Sequence, residues 1–145
     1  MAETDIEVEI SALLRRANQR YTKGRRRLIA VLQSADGPLT ITQILANDSS
    51  LPQSSVYRNL SILETVGVVT RIVTRDDFAH FELAEHLTEH HHHLICSKCG
   101  DVSDFSLDNR TESSLNRDLH RAAADVSFNI ETHRLDLLGT CAQCT

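Results

Sequence analysis

The first half of the chain alternates between segments of helical periodicity and short polar connections. Apolar residues recur every three or four positions in four segments, which cover 6–17, 22–34 with Thr22 as N-cap, a short stretch after Thr40, and Pro52 to about Thr65. Gly67 follows the fourth segment and suits the end of a helix. Two strands are predicted over 68–73 and 79–83, with residues 75–77 as the turn of a hairpin.

Three or four short helices followed by a hairpin predict a winged helix-turn-helix, in which the helix from Pro52 enters the major groove of DNA. The exposed face of that helix carries Ser54, Ser55, Tyr57 and Arg58. Arginine can hydrogen bond to guanine, while tyrosine and serine can contact phosphates or thymine methyl groups. Because many proteins that never bind DNA also expose tyrosine and arginine on a helix, this pattern needs independent support.

The charge distribution supplies some of that support. The net charge of −5 argues against a uniformly basic nucleic-acid binder, but residues 15–27 contain seven positive residues and no acidic one. Phosphate contacts require such a local patch, although a solvated helix face is the simpler alternative. The candidate DNA-binding residues are Arg20, Tyr21, Lys23, Arg25, Arg26, Ser54, Ser55, Tyr57 and Arg58.

The second half of the chain differs in composition from the first. Strands are predicted over 90–96, 102–107 and 128–138, and a helix over 109–124. This helix has an apolar stripe that consists of Leu115, Leu119, Ala122, Ala123 and Val126. The change in composition near 83–89 predicts an α+β protein with one domain over 1–84, a second over 85–145, and a short hinge between them.

All four cysteines occur in two Cys-x-x-Cys pairs, Cys96 with Cys99 and Cys141 with Cys144. Two such knuckles bring four thiolates to one tetrahedral ion, which is the closed geometry of a structural Zn(II) site. Gly100 permits the tight turn after the first pair. Disulfides are the alternative, but the chain shows no export signal and cytosolic thiols stay reduced, so we expect zinc.

Four consecutive histidines, His90 to His93, occur inside the chain and are therefore not a purification tag. Alternate residues of a strand point to opposite faces. His90 and His92 are thus expected on one side and His91 and His93 on the other, so that one segment can serve two separate metal sites. A loose surface chelator is the alternative, and the nearby cysteine site argues against it.

The sequence also argues against two broad classes of protein. It has no run of about eighteen apolar residues, and its first ten residues are acidic, so we expect neither a transmembrane helix nor a secretory signal but a cytoplasmic protein. A zinc hydrolase would need an open coordination position and a general base. The chain has no His-Glu-x-x-His motif and enough ligands to close every site, so we do not expect an enzyme.

Together these motifs resemble the ferric-uptake-regulator (Fur) family of bacterial metal sensors. The residues that carry the resemblance occur in four segments, 55–60 (SVYRNL), 81–83 (FEL), 90–100 (HHHHLICSKCG) and 133–141 (HRLDLLGTC). The match extends from about Arg15 to Cys144. It implies a homodimeric repressor of metal-homeostasis genes with an N-terminal winged helix and a C-terminal α/β dimerisation domain. Such a repressor binds pseudo-palindromic double-stranded operator DNA when it is loaded with metal.

The resemblance also assigns ligands. Cys96, Cys99, Cys141 and Cys144 match the structural zinc, and His90, His92, Glu112 and His133 match a second site within the dimerisation domain. His91, His93 and Glu82 match the inter-domain site that is regulatory in most relatives.

At this inter-domain site the chain departs from the known patterns. Pro38 stands where iron sensors offer a histidine before the third helix, and Thr70 and His86 stand where zinc-uptake regulators offer aspartate and cysteine. The available substitutes are His86, His80 and Asp104. A His-rich set of nitrogen and oxygen ligands fits Zn(II) or Fe(II) as corepressor, with Mn(II) and Ni(II) as further candidates.

The alternative within the family is a peroxide sensor, in which iron-driven oxidation of a ligand histidine releases DNA. Asp104 beside His91 and His93 favours this alternative, whereas the absence of a histidine at Pro38 argues against it. A zinc-uptake regulator is the other specific member that the ligand set suggests.

Overall fold

The computed structural model describes residues 3–74 and 78–145. Its first half contains the elements α1 (Glu3–Arg16), α2 (Lys23–Ser34), α3 (Ile41–Asn47), α4 (Gln53–Thr65), β1 (Val69–Val73) and β2 (Ala79–Leu83). After a single 3₁₀ turn (Glu85–Leu87), the second half contains β3 (His92–Cys96), β4 (Val102–Phe105), α5 (Asn109–Ala124) and β5 (Asp136–Gly139). The hairpin turn predicted at 75–77 lies outside the described residues.

Local capping explains where the helices of the first half begin and end. The Thr22 side chain accepts a hydrogen bond from the third residue of α2, as predicted. Thr40 and Gln43 form a reciprocal capping box at the start of α3. Pro52 is the N-cap of α4 rather than part of its first turn. Gly67 adopts a φ of 83° after α4, a conformation that favours glycine.

The helices and the hairpin enclose one apolar core, to which Ile10, Leu14, Leu28, Ile44, Val56, Leu60, Leu63, Val69 and Phe81 contribute buried side chains. Strands β1 and β2 pair antiparallel, with Val69 opposite Leu83. An isolated bridge joins Leu39 to Phe81, which attaches the connection between α2 and α3 to the hairpin. This arrangement confirms the predicted winged helix-turn-helix.

The second half contains a three-stranded sheet in the order β4-β3-β5. The central strand β3 is antiparallel to β4 and parallel to β5, with His93 opposite Asp104 on one side and Asp136 on the other. The histidine run therefore enters the middle of the sheet, where neighbouring strands hold it on both sides. A mixed helix and sheet unit after a winged helix confirms the predicted α+β class.

Three predicted strands are shorter in the structure. The histidine strand begins at His92 rather than residue 90, and the strand predicted over 102–107 ends at Phe105. The long strand predicted over 128–138 was largely wrong, because β5 covers Asp136–Gly139. A strand needs a hydrogen-bonded neighbour, and β3, the partner of β5, begins only at His92, so residues 128–134 extend beyond it in the described structure.

The described chain covers the apolar stripe of α5 only in part, since Leu115, Leu119 and Ala123 are half-buried while Ala122 and Val126 are exposed. Helix α5 spans the predicted residues, but none of its residues is buried. Beyond its end, Val126 is 76% exposed and Phe128 is 67% exposed, and Leu138 on β5 is 75% exposed. Large apolar patches of this kind mark surfaces that bind another protein.

Candidate metal centres and nucleic-acid interface

The four cysteines come together at one end of the second sheet. Cys96 ends β3 and lies opposite Gly139 of β5, so the parallel pairing brings the two knuckles side by side. All four sulfur atoms lie within 4.8 Å of one another, and those of Cys99 and Cys141 are 3.8 Å apart. No disulfide joins them. Gly100 adopts a φ of 78°, in agreement with its predicted role in the turn.

Backbone amides favour loss of the Cys96 proton in this cysteine cluster, which consists of Cys96, Cys99, Cys141 and Cys144. The Cys99 and Cys141 N–H groups donate to the Cys96 sulfur and lower the pKa of its thiol to about 6. Hydrogen bonds to the Cys141 and Cys99 sulfurs raise the pKa of Cys144 to about 12, because they hold its proton, and repulsion from a neighbouring thiolate acts in the same direction. A divalent cation at the centre would remove that repulsion, so the donor set fits Zn(II).

A second group, here called the His90 cluster, consists of His90, His92, Glu112 and His133. The Nε2 atoms of His90 and His133 lie 3.1 and 2.9 Å from Glu112 Oε1, and His92 Nε2 lies 3.0 Å from Oε2. His92 is 1% exposed, and its Nδ1 has no hydrogen-bond partner among the described residues. Three imidazole nitrogens and one carboxylate directed at a common point fit a tetrahedral divalent ion.

The first turn of α5 sets the position of the Glu112 carboxylate. Asp108 caps the helix by accepting a hydrogen bond from the backbone N–H of Thr111, which fixes the helix start and places Glu112 in its first turn. The hydrogen bond from His92 lowers the pKa of Glu112, so its carboxylate stays charged. Glu85 in the 3₁₀ turn contacts Nδ1 of His90, a contact that the sequence did not reveal.

The third group, here called the Glu82 cluster, consists of Glu82, His91, His93 and Asp104. Glu82 lies on β2 of the wing, and each of its oxygens is 3.0 Å from one imidazole, Oε2 from His91 Nε2 and Oε1 from His93 Nε2. Asp104 Oδ1 on β4 is 3.8 and 3.6 Å from the same two nitrogens. The cluster thus connects the wing to the second sheet.

Burial and close contacts between carboxylates and imidazoles shift the pKa values of all four residues of the Glu82 cluster. Burial lowers the pKa of His93, but Glu82 more than compensates, and the net shift is upward. His91 behaves in the same way, with the Glu89 carbonyl and Glu82 as its partners. Burial opposes ionisation of Glu82, yet the two histidines hold its pKa below the ordinary value. Burial raises the pKa of Asp104.

His80 and His86 do not join either histidine cluster within the described residues. His80 is 3% exposed on β2. Burial lowers its pKa, although the negative charge of Asp101 acts in the opposite direction. His86 is exposed in the 3₁₀ turn. Of the three substitutes that the sequence offered, the structure brings Asp104 to the Glu82 cluster and places the two histidines elsewhere.

The loop after α2, which contains Gly37 and Pro38, approaches the second sheet closely. A Cβ atom added at Gly37 would lie 3.3 Å from the Val102 carbonyl oxygen and 3.6 Å from the Cα of Ser103. The loop that contains Pro38 therefore packs closely against β4 without supplying a metal ligand. Sequence periodicity could not reveal this contact, because it joins residues that are far apart in the chain.

Seven of the nine predicted DNA-binding residues are exposed or half-buried and remain candidates for DNA contact, and the two exceptions are Arg25 and Tyr21. Tyr57 and Arg58 on α4 are exposed and Ser55 is half-buried. The residues that are also exposed are Arg20, Lys23, Arg26 and Ser54.

Arg25 is the first exception, because it is 8% exposed and its guanidinium donates to Asn59 and to the Arg20 carbonyl oxygen. Two of its three guanidinium nitrogens are used within the protein, to join α2 to α4 and to the segment before α2, and its side chain is buried, so its predicted phosphate contact is not supported.

Tyr21 is the second exception. Its hydroxyl donates to Glu7 on α1, and burial together with this hydrogen bond raises its pKa. Arg26 lies 3.8 Å from the Tyr21 ring centroid and also pairs with Glu7 at 2.7 Å. Tyr21 is therefore half-buried in a contact between α1 and α2, whereas Arg26 stays at the surface.

No helix in the described part of the chain is long and apolar enough to cross a bilayer.

Comparison with known proteins gives one consistent result. Residues 16–138 match the family model described as the ferric uptake regulator family. The peroxide-responsive repressor PerR of Staphylococcus aureus is 28% identical over 98% of this chain and 93% of its own length. The structure is similar to that of the Vibrio cholerae ferric uptake regulator, with a TM-score of 0.71 at 27% identity over 90% of this chain and 98% of the other. It also matches a zinc-bound manganese uptake regulator, with a TM-score of 0.64 at 26% identity over 91% and 98% of the two chains.

Proposed function

The chain belongs to the ferric uptake regulator family, and from this premise we propose that an ion held by the Glu82 cluster switches it into a DNA-binding repressor. Members of the family are metal-responsive transcription regulators rather than enzymes. The observation that carries the proposal is the position of Glu82, which lies on the wing while both of its partners lie on β3 or just before it. Its ligands therefore come from the proposed DNA-binding domain, residues 1–84, and from the proposed dimerisation domain, residues 85–145.

The chemistry of switching depends on this placement. A divalent cation bound by Glu82, His91, His93 and Asp104 would supply a positive charge that all four ligands can share. The two imidazoles must be neutral to bind it, so metal binding displaces the protons that Glu82 holds on them in the metal-free protein. The ligands come from both halves, so the ion binds most tightly when Glu82 lies beside His91 and His93. Metal binding therefore shifts the protein toward the arrangement in which the two halves are held together.

The other two groups support this switch. The cysteine cluster is proposed as a structural Zn(II) site that holds the end of the second sheet together. The His90 cluster lies within the second half and joins α5 to the sheet, so its ion would stabilise that half.

The proposed partner is a second copy of the chain. The partly covered stripe on α5 and the exposed side chains of Phe128 and Leu138 all lie in the second half and offer apolar area for pairing. Pairing of two copies through this surface would place two α4 helices on one face, about 34 Å apart as successive major grooves require. The exposed Arg58 and Lys23 would then contact operator DNA. The proposed location is the cytoplasm, where bacterial DNA lies.

A titration tests the proposal and identifies the corepressor. Operator affinity is measured for the protein that retains zinc in the cysteine cluster but is otherwise metal-free, while Zn(II), Fe(II), Mn(II) and Ni(II) are added separately. At least one ion should raise the affinity by about 5–150-fold, the range of typical allosteric coupling. Glu82→Ala should lose this increase while retaining zinc in the cysteine cluster. Equal operator affinity with and without every ion would contradict the proposal.

Peroxide sensing is a second candidate, which the position of Asp104 and the similarity to a peroxide-responsive repressor favour. In that case the chain loaded with Fe(II) would gain one oxygen atom on His91 or His93 when treated with hydrogen peroxide, and operator affinity would fall. Peptide mass spectrometry measures the added oxygen. The chain loaded with Mn(II) serves as the control, and unmodified histidines after treatment of the Fe(II) form would exclude this candidate.

A further inference from the structure

Asp136 occupies a distinctive position beside the Glu82 cluster. It begins β5, and the parallel pairing of β5 with β3 places it directly opposite His93. The backbone N–H of His93 donates to the Leu135 carbonyl oxygen, which fixes this register. Asp136 Oδ1 lies 3.3 Å from His93 Nδ1, and its other oxygen accepts a hydrogen bond from Arg134. The carboxylate is thus held on both sides.

The two ring nitrogens of His93 have different partners. Nε2 faces Glu82 at 3.0 Å, inside the proposed metal centre, whereas Nδ1 faces Asp136 outside it. A carboxylate that accepts the Nδ1 proton fixes the tautomer in which Nε2 carries the free lone pair, and it makes that nitrogen a stronger donor to a metal. His91 provides an internal contrast, because its Nδ1 is held by the Glu89 backbone carbonyl oxygen.

We propose that Asp136 is the positioning residue of the Glu82 cluster, which holds the His93 ring so that Nε2 faces the ion. The inference rests on the proposed function for the identity of the centre. It adds a dependence of that centre on β5, the strand that also carries the exposed Leu138. The metal-binding affinity of the inter-domain centre thereby depends on a residue that is not itself a ligand, whereas His91 needs no side chain for the same purpose.

The test is a Co(II) titration of the full-length protein, with zinc retained in the cysteine cluster and His90→Ala used as the background to remove the His90 cluster. Asp136→Asn and Asp136→Ala should lower Co(II) affinity at the Glu82 cluster by about 10–100-fold, the usual effect of losing such a partner. Glu131→Gln, on the same exposed segment, is the matched control and should leave the affinity unchanged. Asp136→Glu keeps a carboxylate and should retain more affinity than Asp136→Asn.

Two further readouts separate positioning from a general loss of structure. Nitrogen-15 NMR of the histidine rings in the zinc-loaded protein should show His93 protonated at Nδ1, and this signature should be lost in Asp136→Ala while that of His91 is kept. In a His93→Ala background, Asp136→Asn should have no further effect on Co(II) affinity. Unchanged affinity and an unchanged His93 signature in Asp136→Ala, or an equal loss without His93, would overturn the proposal.

None of these measurements includes DNA. If they come out as expected while operator binding stays independent of metal, the proposed function fails and the role of Asp136 stands. If metal activates operator binding normally in Asp136→Ala and Co(II) affinity is unchanged, the role of Asp136 fails and the proposed function stands.

Discussion

Replacing the histidines of the run one at a time tests whether two separate ions bind on opposite sides of one segment. His91 and His93 each lie 3.0 Å from a Glu82 oxygen, whereas His90 and His92 face Glu112. Loss of a supporting partner of a ligand costs about 10–100-fold in metal affinity. Loss of a ligand should therefore cost at least about 100-fold, or about 2.7 kcal/mol, at its own centre.

The two faces of the histidine run should differ in how the loss of a ligand affects DNA binding. His91→Ala or His93→Ala should remove most of the metal-induced gain in operator affinity, about 5–150-fold if the coupling is typical. His90→Ala or His92→Ala should weaken binding within the second half and reduce operator affinity by a smaller, graded amount. Pairs on one face should be non-additive by about 0.5–3 kcal/mol, because they share an ion, and pairs across faces should add to within about 0.5 kcal/mol.

The assay combines competition with a chromophoric chelator for metal affinity and fluorescence anisotropy for operator binding. His120→Ala is the matched control, since His120 is exposed and bonds to the Asn116 carbonyl oxygen of its own helix. The melting temperature of each variant reports whether loss of the buried His92 ring damages the fold. Equal behaviour of all four single variants would refute the two-centre reasoning and leave a diffuse chelator.

Four other substitutions have expected outcomes. Cys96→Ser should lower the melting temperature and the zinc content together, because structural zinc can contribute around 10 kcal/mol to folding, and retention of both would contradict the assignment. Arg58→Ala should cost about 1–3 kcal/mol on operator DNA and less on random DNA, whereas Lys23→Ala should weaken both equally and flatten the salt dependence. In the metal-free protein, the raised pKa of His93 means that its pairing with Glu82 stabilises fully below the ordinary value of 6.5 and is lost as pH rises through the folded pKa. The pKa of Glu82 lies below its ordinary value, so the same contribution is also lost at acidic pH, when Glu82 becomes protonated. Glu82→Gln should therefore make the free energy of unfolding in urea less dependent on pH in both the acidic range and the range around the pKa of His93.

Local features of the sequence predicted the elements whose ends depend on short-range chemistry. Thr22, Thr40 and Gly67 mark the ends of their helices because the hydrogen bonds and the positive φ involved lie within a few residues. The alternation of the histidines also came from local geometry, since side chains of a strand point to opposite faces in turn. The pairing of the four cysteines came from their spacing and from general zinc chemistry.

The tertiary structure decided what depends on distant neighbours. It assigned Asp104 rather than His80 or His86 to the Glu82 cluster, because β4 pairs with β3 and places Asp104 opposite His93. It also placed Arg25 inside the protein, where its guanidinium satisfies Asn59, although its neighbours made it look like one more surface cation.

The predicted strand over 128–138 also depends on neighbours that are distant in the chain. Its apolar residues have the composition of a strand, but a strand forms where a partner offers hydrogen bonds, and β5 finds one from Asp136 onward. The position of Asp136 opposite His93 likewise depends on strand order and register. Periodicity reports which residues face the same way, while packing between distant segments decides which of them meet.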